Sequence, residues 1–168
     1  MAIAFLGLGG NLGDAKQTLK DAIVCLAQHP QIEITARSCF YQSSPVEASG
    51  NDYINNVLLI KTELAPLPLL RLCQSVEDQF GRERPFENAP RTLDIDLLVY
   101  DQIEQKHPEL TLPHPRMTER LFVLLPLLEI EPDFSLPAFG KLQAFTAELS
   151  WQKISRMQCC KCLPIPRV

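Results

Sequence analysis

Two aspartates interrupt an apolar run in the segment Ala89-Pro90-Arg91-Thr92-Leu93-Asp94-Ile95-Asp96-Leu97-Leu98-Val99-Tyr100. The length of the run over residues 93–100, with its β-branched and aromatic side chains, predicts a buried strand. Because side chains alternate along a strand, Asp94 and Asp96 are expected on the same face. The opposite, core face would hold Leu93, Ile95, Leu97 and Val99. The segment therefore predicts a strand with one core face and one face that carries chemistry.

The two carboxylates are well placed to share a divalent cation. Two residues of strand separate them by roughly 7 Å, where like charges repel by about 2 kcal/mol at an effective dielectric constant of about 20. A cation between them would remove that repulsion. Mg²⁺ suits such a pair, because it usually binds one or two protein carboxylates together with waters and substrate phosphates. The alternative is a solvated strand face without a ligand.

Arginines cluster around the same segment. Five of the nine arginines in the chain fall within 39 residues, and these are Arg82, Arg84, Arg91, Arg116 and Arg120. Guanidinium groups bind phosphate oxygens in a bidentate manner. Anion-binding side chains beside a pair of metal-binding carboxylates indicate a phosphorylated substrate.

The composition is that of an ordinary globular domain. A chain of 168 residues, with 46% hydrophobic and 21% charged residues, corresponds to one domain with its own core. A net charge of −4 argues against the broad basic surface that nucleic-acid binding needs. The apolar runs are too short to span a bilayer, and no signal peptide is evident. We therefore expect a soluble, cytoplasmic protein that binds neither nucleic acid nor membranes.

The six cysteines do not predict a disulfide framework. Cys25, Cys39 and Cys73 fall at apolar positions of predicted elements, which is typical of a reducing compartment. The terminal cysteines lack the paired spacing of a zinc site, and these are Cys159, Cys160 and Cys162. We predict a single catalytic domain over residues 1–158 and a Cys-rich tail over residues 159–168.

Strands and helices are intermixed along the chain. Besides the aspartate segment, strands are predicted over residues 2–8, 32–43, 53–62 and 152–157, and helices over residues 14–27, 66–80, 118–129 and 139–150. The link between Ser43 and Tyr53 is too short for a helical crossover, so the strands it joins are expected to be antiparallel. The pattern predicts an α+β fold, a ferredoxin-like α/β sandwich with a largely antiparallel central sheet flanked by helices.

A glycine-rich segment, Gly7-Leu8-Gly9-Gly10-Asn11-Leu12-Gly13-Asp14, follows the first strand. It matches neither the dinucleotide fingerprint nor a P-loop. We interpret it as a strand-to-helix turn that glycine permits, with Asp14 or Asn11 capping the helix. Direct contact with phosphate is the alternative.

Polar and aromatic residues elsewhere could line a site. Tyr53 and Asn55 share one strand face, where the ring could stack on a flat heterocycle and the amide could bind its edge, although such a pair is also typical of strand packing. Gln74 and Glu77 lie outside the apolar stripe of their helix and could face a site or water.

In combination, these motifs resemble the family of 6-hydroxymethyl-7,8-dihydropterin pyrophosphokinases. The resemblance extends to about residue 155 and rests on Leu8-Gly9-Gly10-Asn11-Leu12-Gly13-Asp14, Tyr53-Ile54-Asn55, Pro90-Arg91-Thr92-Leu93-Asp94-Ile95-Asp96 and Leu112-Pro113-His114-Pro115-Arg116, with Arg120 and Phe122 beyond. It implies transfer of the terminal diphosphate of ATP to the hydroxymethyl group of 6-hydroxymethyl-7,8-dihydropterin, with release of AMP, in folate biosynthesis.

The resemblance also implies a role for individual residues. Asp94 and Asp96 would hold two Mg²⁺ ions, and Arg82 and Arg91 would be catalytic clamps on the transferred group. The implied pterin contacts are Ser43, Val46, Tyr53, Asn55 and Phe122. The implied ATP contacts are Gln74, Glu77, Arg84, Thr111, His114 and Arg120. The enzyme is expected to be a monomer.

Two alternatives remain open at this point. A different small-molecule kinase on the same sandwich would release ADP instead of AMP. A pterin- or nucleotide-binding module without turnover is the second alternative, because this chain has Asn88-Ala89 where several family members carry Arg-Trp-Gly.

Overall fold

The computed structural model describes residues 1–45, 50–81 and 91–158. Its strands are β1 (Ala2–Gly10), β2 (Ile32–Arg37), β3 (Tyr41–Ser43), β4 (Tyr53–Thr62), β5 (Asp94–Tyr100), β6 (Gln105–His107), β7 (Leu110–Leu112), β8 (Ser135–Leu136), β9 (Gly140–Lys141) and β10 (Ile154–Arg156). Its helices are α1 (Ala15–Ala27), α2 (Pro66–Gln79), α3 (Leu121–Ile130) and α4 (Gln143–Thr146), with 3-10 turns at Met117–Glu119 and Ala147–Leu149.

A six-stranded sheet organises the described part of the chain. Its order is β10-β3-β4-β1-β5, and β2 also pairs with β4. Every pair in this sheet is antiparallel. With α1 after β1 and α2 after β4, the strand order β2-β4-β1-β5 is that of a ferredoxin-like sandwich. The predicted fold class is confirmed, as is the antiparallel pairing of the strands on either side of the link between Ser43 and Tyr53.

Apolar side chains cover both faces of the sheet. On one face, Leu6 and Leu58 belong to a buried cluster that includes residues of α1 and α2. On the other face, Phe5 and Leu98 belong to a second cluster with Leu124 of α3. The site described below lies on this second face, where Leu98 and Val123 of the α3 cluster line it. None of the helices in the described ranges is long and apolar enough to cross a membrane.

The alternation expected along β5 is interrupted by a bulge. The pairing register of β1 with β5 shifts between Phe5 and Leu6, so that Phe5 pairs with Val99 and Leu6 with Leu97. A bulge adds one residue to a strand and reverses the facing of the side chains beyond it. The assignment of Val99 to the same face as Leu97 was therefore wrong, because Val99 packs with Phe5 on the α3 side.

The predicted strand over residues 32–43 is in fact two strands, β2 and β3. At Ser38 the side-chain hydroxyl accepts the Val57 N–H at 3.0 Å, in the place where a regular ladder would use a backbone carbonyl. This bond interrupts the ladder. The division has a functional consequence, because β3 then pairs with the first residues of β4, where Tyr53 and Asn55 lie.

The last predicted helices are shorter than the apolar pattern indicated. Residues 117–119 form a 3-10 turn, so α3 begins only at Leu121. The predicted helix over residues 139–150 is wrong at its start, because Gly140 has a φ of +70° and opens β9, which pairs with β8. The expected connection over residues 101–107 contains β6, which forms a hairpin with β7. The predicted last strand is reduced to β10.

Candidate active site

A cavity of about 410 Å³ opens on the α3 face of the sheet, where β1, β4 and β5 lie side by side. Backbone of β1 lines it at Gly7 and Gly9. The predicted site residues among its lining are Ser43, Tyr53, Asn55, Arg91, Asp94, Asp96, Arg120 and Phe122. We refer to it as the first cavity. It contains both aspartates and most of the predicted pterin contacts.

A second cavity of about 250 Å³ lies beside the β6–β7 hairpin. Predicted ATP contacts line it, namely Thr111 and His114, together with Glu109 and Leu97. Asp96 lines both cavities. The structure thus offers two separate binding spaces that meet at one carboxylate, which is an arrangement that can bring two substrates together.

The glycine-rich segment fixes the position of Arg91. The Asn11 side chain accepts the Arg91 N–H at 2.9 Å, and the Asn11 backbone N–H donates to the Arg91 carbonyl at 2.9 Å. A Cβ atom on Gly10 would collide with the Thr92 carbonyl, so the two segments can approach only because residue 10 is glycine. Asp14 caps α1 by accepting the Gln17 N–H, which settles the two capping candidates in its favour. Asn11 instead holds the loop that carries Arg91.

Each aspartate of the pair lies beside an arginine. Arg91 Nη1 is 2.5 Å from Asp94 Oδ2, and Arg120 Nη1 is 3.6 Å from Asp96 Oδ2. Burial disfavours the charged Arg91 guanidinium, but the attraction of Asp94 outweighs burial and leaves the pKa of Arg91 above its ordinary value. For Arg120, burial is the largest effect and lowers the pKa. The arginines place positive charge around the carboxylates, as a site for phosphate groups requires.

The carboxylate of Asp96 is destabilised in its charged form. The pKa of Asp96 is raised to about 7, mainly by burial and also by the negative charge of Asp94, against the opposing effects of Arg120 and Arg91. The side chain nevertheless keeps 33% of its surface exposed, towards the cavities that it lines. A divalent cation at this place would relieve the repulsion between the carboxylates.

The carboxylates of Asp94 and Asp96 suit Mg²⁺ better than a metal ion whose ligands must all come from protein side chains. Across the described ranges, no group of three or more His, Cys, Asp or Glu side chains is arranged to hold a metal ion. Mg²⁺ is commonly held by one or two carboxylates while waters and substrate phosphates supply the other ligands. The pair of Asp94 and Asp96 meets that requirement, and the surrounding arginines suit the phosphates that would complete the coordination.

His114 is neutral at physiological pH. Burial lowers its pKa to about 4, and the nearby Arg120 charge acts in the same direction. Its Nε2 atom lies 4.0 Å from Asp96 Oδ2, but a neutral ring makes no ion pair there. Nδ1 accepts the Arg116 N–H at 3.2 Å, which leaves the proton of the neutral ring on Nε2. His114 can therefore donate a hydrogen bond beside the carboxylates.

A buried amide lines the first cavity together with two aromatic rings. Asn55 Nδ2 donates to Ser43 Oγ at 2.8 Å, and both residues are buried. Tyr53 and Phe122 line the same cavity, and the Arg120 guanidinium lies 5.6 Å from the Phe122 ring centroid, within cation–π range. This arrangement suits a flat heterocycle that offers both a ring face and a hydrogen-bonding edge.

Two other predicted ATP contacts lie outside both cavities. Gln74 Oε1 accepts a hydrogen bond from Arg71 at 3.1 Å, and Arg71 forms an ion pair with Glu109 at the second cavity. Glu77 is buried, and its Oε1 accepts the Ile95 N–H at 2.7 Å. The charge of Glu77 also raises the pKa of Asp96. Gln74 and Glu77 thus support the walls of the site, and their predicted contacts with ATP stay predictions.

Three predicted site residues, Val46, Arg82 and Arg84, lie outside the described residues, so their roles stay predictions. Residues 159–168 lie outside them too, and the proposed tail stays a prediction.

Among the residues that line the first cavity, sequence reasoning gave no role to Asn56, Glu119, Trp151 or Gln152. Arg116, a member of the predicted arginine cluster, also lines this cavity. Trp151 and Gln152 carry no signal in the sequence. They reach the cavity because β10, which follows them, pairs with β3.

Asp96→Asn is expected to make the metal-free protein more stable at pH 8. The folded-state pKa of Asp96 lies above the ordinary value of 3.8, so its stability contribution is full at low pH and is lost as the pH rises towards 7. Asparagine does not titrate. Because Asp96 is a third exposed, solvent screens part of the effect, and we expect a gain of about 1 kcal/mol, or about 2–4 °C in Tm.

The measurement is the Tm of both proteins at pH 5 and pH 8 in the presence of a chelator. The difference should be larger at pH 8. An equal difference at the two pH values would show that charge on Asp96 does not limit stability.

Known proteins resemble this chain along most of its length. A family model described as 7,8-dihydro-6-hydroxymethylpterin-pyrophosphokinase (HPPK) matches residues 5–132. A 2-amino-4-hydroxy-6-hydroxymethyldihydropteridine pyrophosphokinase of Bacillus subtilis is 41% identical over 129 residues, which cover 76% of this chain and 77% of that protein. The protein of the same name from Methylorubrum extorquens is 42% identical over 134 residues, which cover 79% of this chain and 85% of that one.

Solved structures show the same fold at low sequence identity. A crystal structure of Plasmodium falciparum HPPK-DHPS matches with a TM-score of 0.69 and 14% identity. The match covers 88% of this chain and 43% of that one, so this chain corresponds to less than half of the length of the structural relative. At this identity the likeness concerns the fold alone.

Proposed function

Because the chain belongs to the 7,8-dihydro-6-hydroxymethylpterin-pyrophosphokinase family, we propose that it transfers the terminal diphosphate of ATP to 6-hydroxymethyl-7,8-dihydropterin, with release of AMP, in folate biosynthesis. One observation carries the proposal. Two cavities of different character meet at Asp96, so that an alcohol in one can face a nucleotide phosphate held from the other. We propose that the catalytic unit is a monomer. We place the enzyme in the cytoplasm.

The pterin would occupy the first cavity. Tyr53 and Phe122 offer aromatic surface to its rings, and the pair of Asn55 and Ser43 offers donors and acceptors to its edge. Gly9 is needed at this place, because a Cβ atom there would lie 2.8 Å from Asn55 Oδ1 and displace the amide. A specific heterocycle is favoured over a general apolar ligand, since a buried amide left unpaired would weaken binding of ligands without a matching edge.

The nucleotide would occupy the second cavity and extend its phosphates towards the aspartates. Thr111 and His114 line that cavity. Neutral His114 can donate from Nε2 to a phosphate oxygen without needing to gain a proton. Arg120 lies at the junction, where it contacts Asp96 and lines the first cavity.

We propose that Asp94 and Asp96 hold two Mg²⁺ ions. When bound, the ions would neutralise phosphate charge and favour in-line attack. Both carboxylates project from β5, and pairing with β1 holds β5 in the sheet. The two carboxylates would therefore hold the ions at fixed positions. Arg91 is held beside Asp94 by Asn11 and would bind the transferred group.

The reaction exchanges one bond to phosphorus for another. The hydroxymethyl oxygen forms a bond to the β-phosphorus of ATP, the bond between that phosphorus and the α–β bridging oxygen breaks, and AMP leaves with the bridging oxygen while the hydroxyl proton is released. Little covalent chemistry falls to the protein in such transfers, so positioning and electrostatic stabilisation supply most of the acceleration. Among the described residues, Arg91, Arg116 and Arg120 line the first cavity and can supply positive charge to the transferred group.

Product analysis tests the proposed function. The protein is incubated with ATP, Mg²⁺ and 6-hydroxymethyl-7,8-dihydropterin, and the nucleotide products are separated. AMP in equal amount to pterin diphosphate is expected. ADP would indicate a kinase that transfers one phosphoryl group, and binding without turnover would indicate a binding module.

Asn11→Ala is expected to lower kcat about 10-fold while pterin KM changes by less than about 3-fold. The substitution removes the side-chain acceptor of the Arg91 N–H, so the guanidinium loses its fixed position, whereas the pterin contacts remain. Steady-state kinetics with both substrates measure this split. Asn51→Ala is the matched control, because Arg91 keeps both bonds to Asn11 in that variant. A rise in pterin KM at constant kcat would contradict the positioning role.

A further inference from the structure

Trp151 is an exposed aromatic residue at the edge of the first cavity. It is the single tryptophan of the chain, and 64% of its surface is exposed. It lines the cavity together with the apolar residues Leu98, Val123 and Leu149. An exposed indole beside a ligand cavity offers a large apolar face that a bound ring could bury.

The residue that follows Trp151 is hydrogen-bonded to the start of α3. The adjacent Gln152 is 8% exposed, and its side chain accepts the Leu121 N–H at 2.9 Å and donates to the Glu119 carbonyl at 2.8 Å. Arg120 occupies the N-cap position of α3, but its side chain makes no capping hydrogen bond. Gln152 therefore takes the place of a helix cap and ties Trp151 to the wall that carries Phe122.

The next two residues, Lys153 and Ile154, are hydrogen-bonded to β3 and to the residue after it. The Lys153 carbonyl accepts the Ser44 N–H at 3.1 Å, and Ile154 pairs with Ser43. Ser43 is the partner of Asn55 inside the cavity. The residues that follow Trp151 therefore connect it both to the start of the helix that carries Phe122 and to the strand that carries Ser43.

We propose that Trp151 is a pterin-binding residue whose indole covers the heterocycle in the first cavity and excludes water from it. The proposal rests on the proposed function for the identity of the ligand. Its physical basis is that the chain beside Trp151 is already fixed, by the contacts of Gln152, Lys153 and Ile154 after it and by the bond from the Gln152 N–H to the Leu149 carbonyl at 2.9 Å, so that little entropy is lost when the ring orders over a ligand. The flat ring system of a pterin offers the apolar face that an indole can cover.

The accessibility of Trp151 to acrylamide tests the contact directly, because the protein contains no other tryptophan. Collisional quenching is measured from the fluorescence lifetime with and without saturating 6-hydroxymethyl-7,8-dihydropterin, and each quenching constant is divided by its own unquenched lifetime, so that neither light absorption by the pterin nor energy transfer to it affects the result. We expect the quenching constant to fall about two-fold or more on binding. An unchanged constant at saturation would overturn the proposal.

Substitutions separate contact from structural support. Trp151→Ala is expected to raise pterin KM about 10-fold with kcat within about 2-fold, and Trp151→Phe, which keeps an aromatic ring, to recover most of that loss. Val24→Ala, at an exposed apolar position on α1 outside both cavities, is expected to leave KM and kcat unchanged. Wild-type KM in Trp151→Ala, or equal losses in the Phe and Ala variants, would overturn the proposal.

The outcomes also distinguish this proposal from the proposed function. If the wild-type protein neither binds the dihydropterin nor forms AMP, the proposed function fails, and the role of Trp151 fails with it. If the wild-type protein binds the dihydropterin and forms AMP while Trp151 stays accessible and Trp151→Ala behaves as wild type, only the role of Trp151 is overturned.

Discussion

Asp96→Asn is expected to lower the rate of AMP formation about 10³-fold or more while the folded state is retained, and Asp94→Asn is expected to have a similar effect. Both carboxylates project into the first cavity, and Asp96 also lines the second. Asparagine keeps the shape of the side chain but loses the charge that a divalent ion requires. Because Asp96→Asn should also stabilise the metal-free protein at pH 8, activity and stability should change in opposite directions.

Asp101→Asn is the matched control for this loss of activity. Asp101 follows the far end of β5, and its side chain accepts the Ile3 N–H at 2.8 Å outside both cavities. The same change of one carboxylate to an amide should leave turnover near the wild-type rate there. If Asp94→Asn or Asp96→Asn retained near-normal turnover with ATP, Mg²⁺ and the dihydropterin, the metal assignment would be wrong.

Arg91→Ala is expected to lower kcat about 100-fold with pterin KM within about 3-fold of wild type. The Arg91 guanidinium lies beside Asp94, and two bonds to Asn11 fix its backbone, so it is positioned to stabilise charge on the group that moves. Arg91→Lys keeps the charge but loses the planar fork, and should recover about 10-fold of the loss. Steady-state kinetics with both substrates measure these effects. Unchanged kcat with weakened pterin binding would assign Arg91 to the pterin instead.

The strands and helices with strong periodicity could be predicted from the sequence. The apolar run at the start of the chain forms β1, which continues to Gly10, two residues beyond its predicted end and into the segment predicted as a turn. The apolar stripe that follows forms α1. The alternation from Tyr53 onwards forms β4 within the predicted bounds. The shared face of Asp94 and Asp96 follows from strand geometry alone, and both residues line the first cavity. These features are local, because each depends on the spacing of neighbouring residues.

The features that depend on distant pairing could not be predicted. The facing of Val99 depends on a bulge in the pairing of β1 with β5. The role of Asn11 depends on the approach of Arg91, which is 80 residues away in the sequence. Trp151 reaches the cavity only through bonds that Gln152 and Lys153 make to α3 and β3. These contacts join residues that are far apart in the sequence, so the spacing of neighbouring residues does not predict them.

A crystal structure with Mg²⁺, a non-hydrolysable ATP analogue and 6-hydroxymethyl-7,8-dihydropterin is the most direct test of the account. We expect oxygens of Asp94 and Asp96 at about 2.1 Å from divalent ions that also contact the phosphates, as is usual for Mg²⁺. We expect the pterin in the first cavity and the adenine in the second. Aspartates that point away from the bound triphosphate, or both ligands in one cavity, would contradict the account.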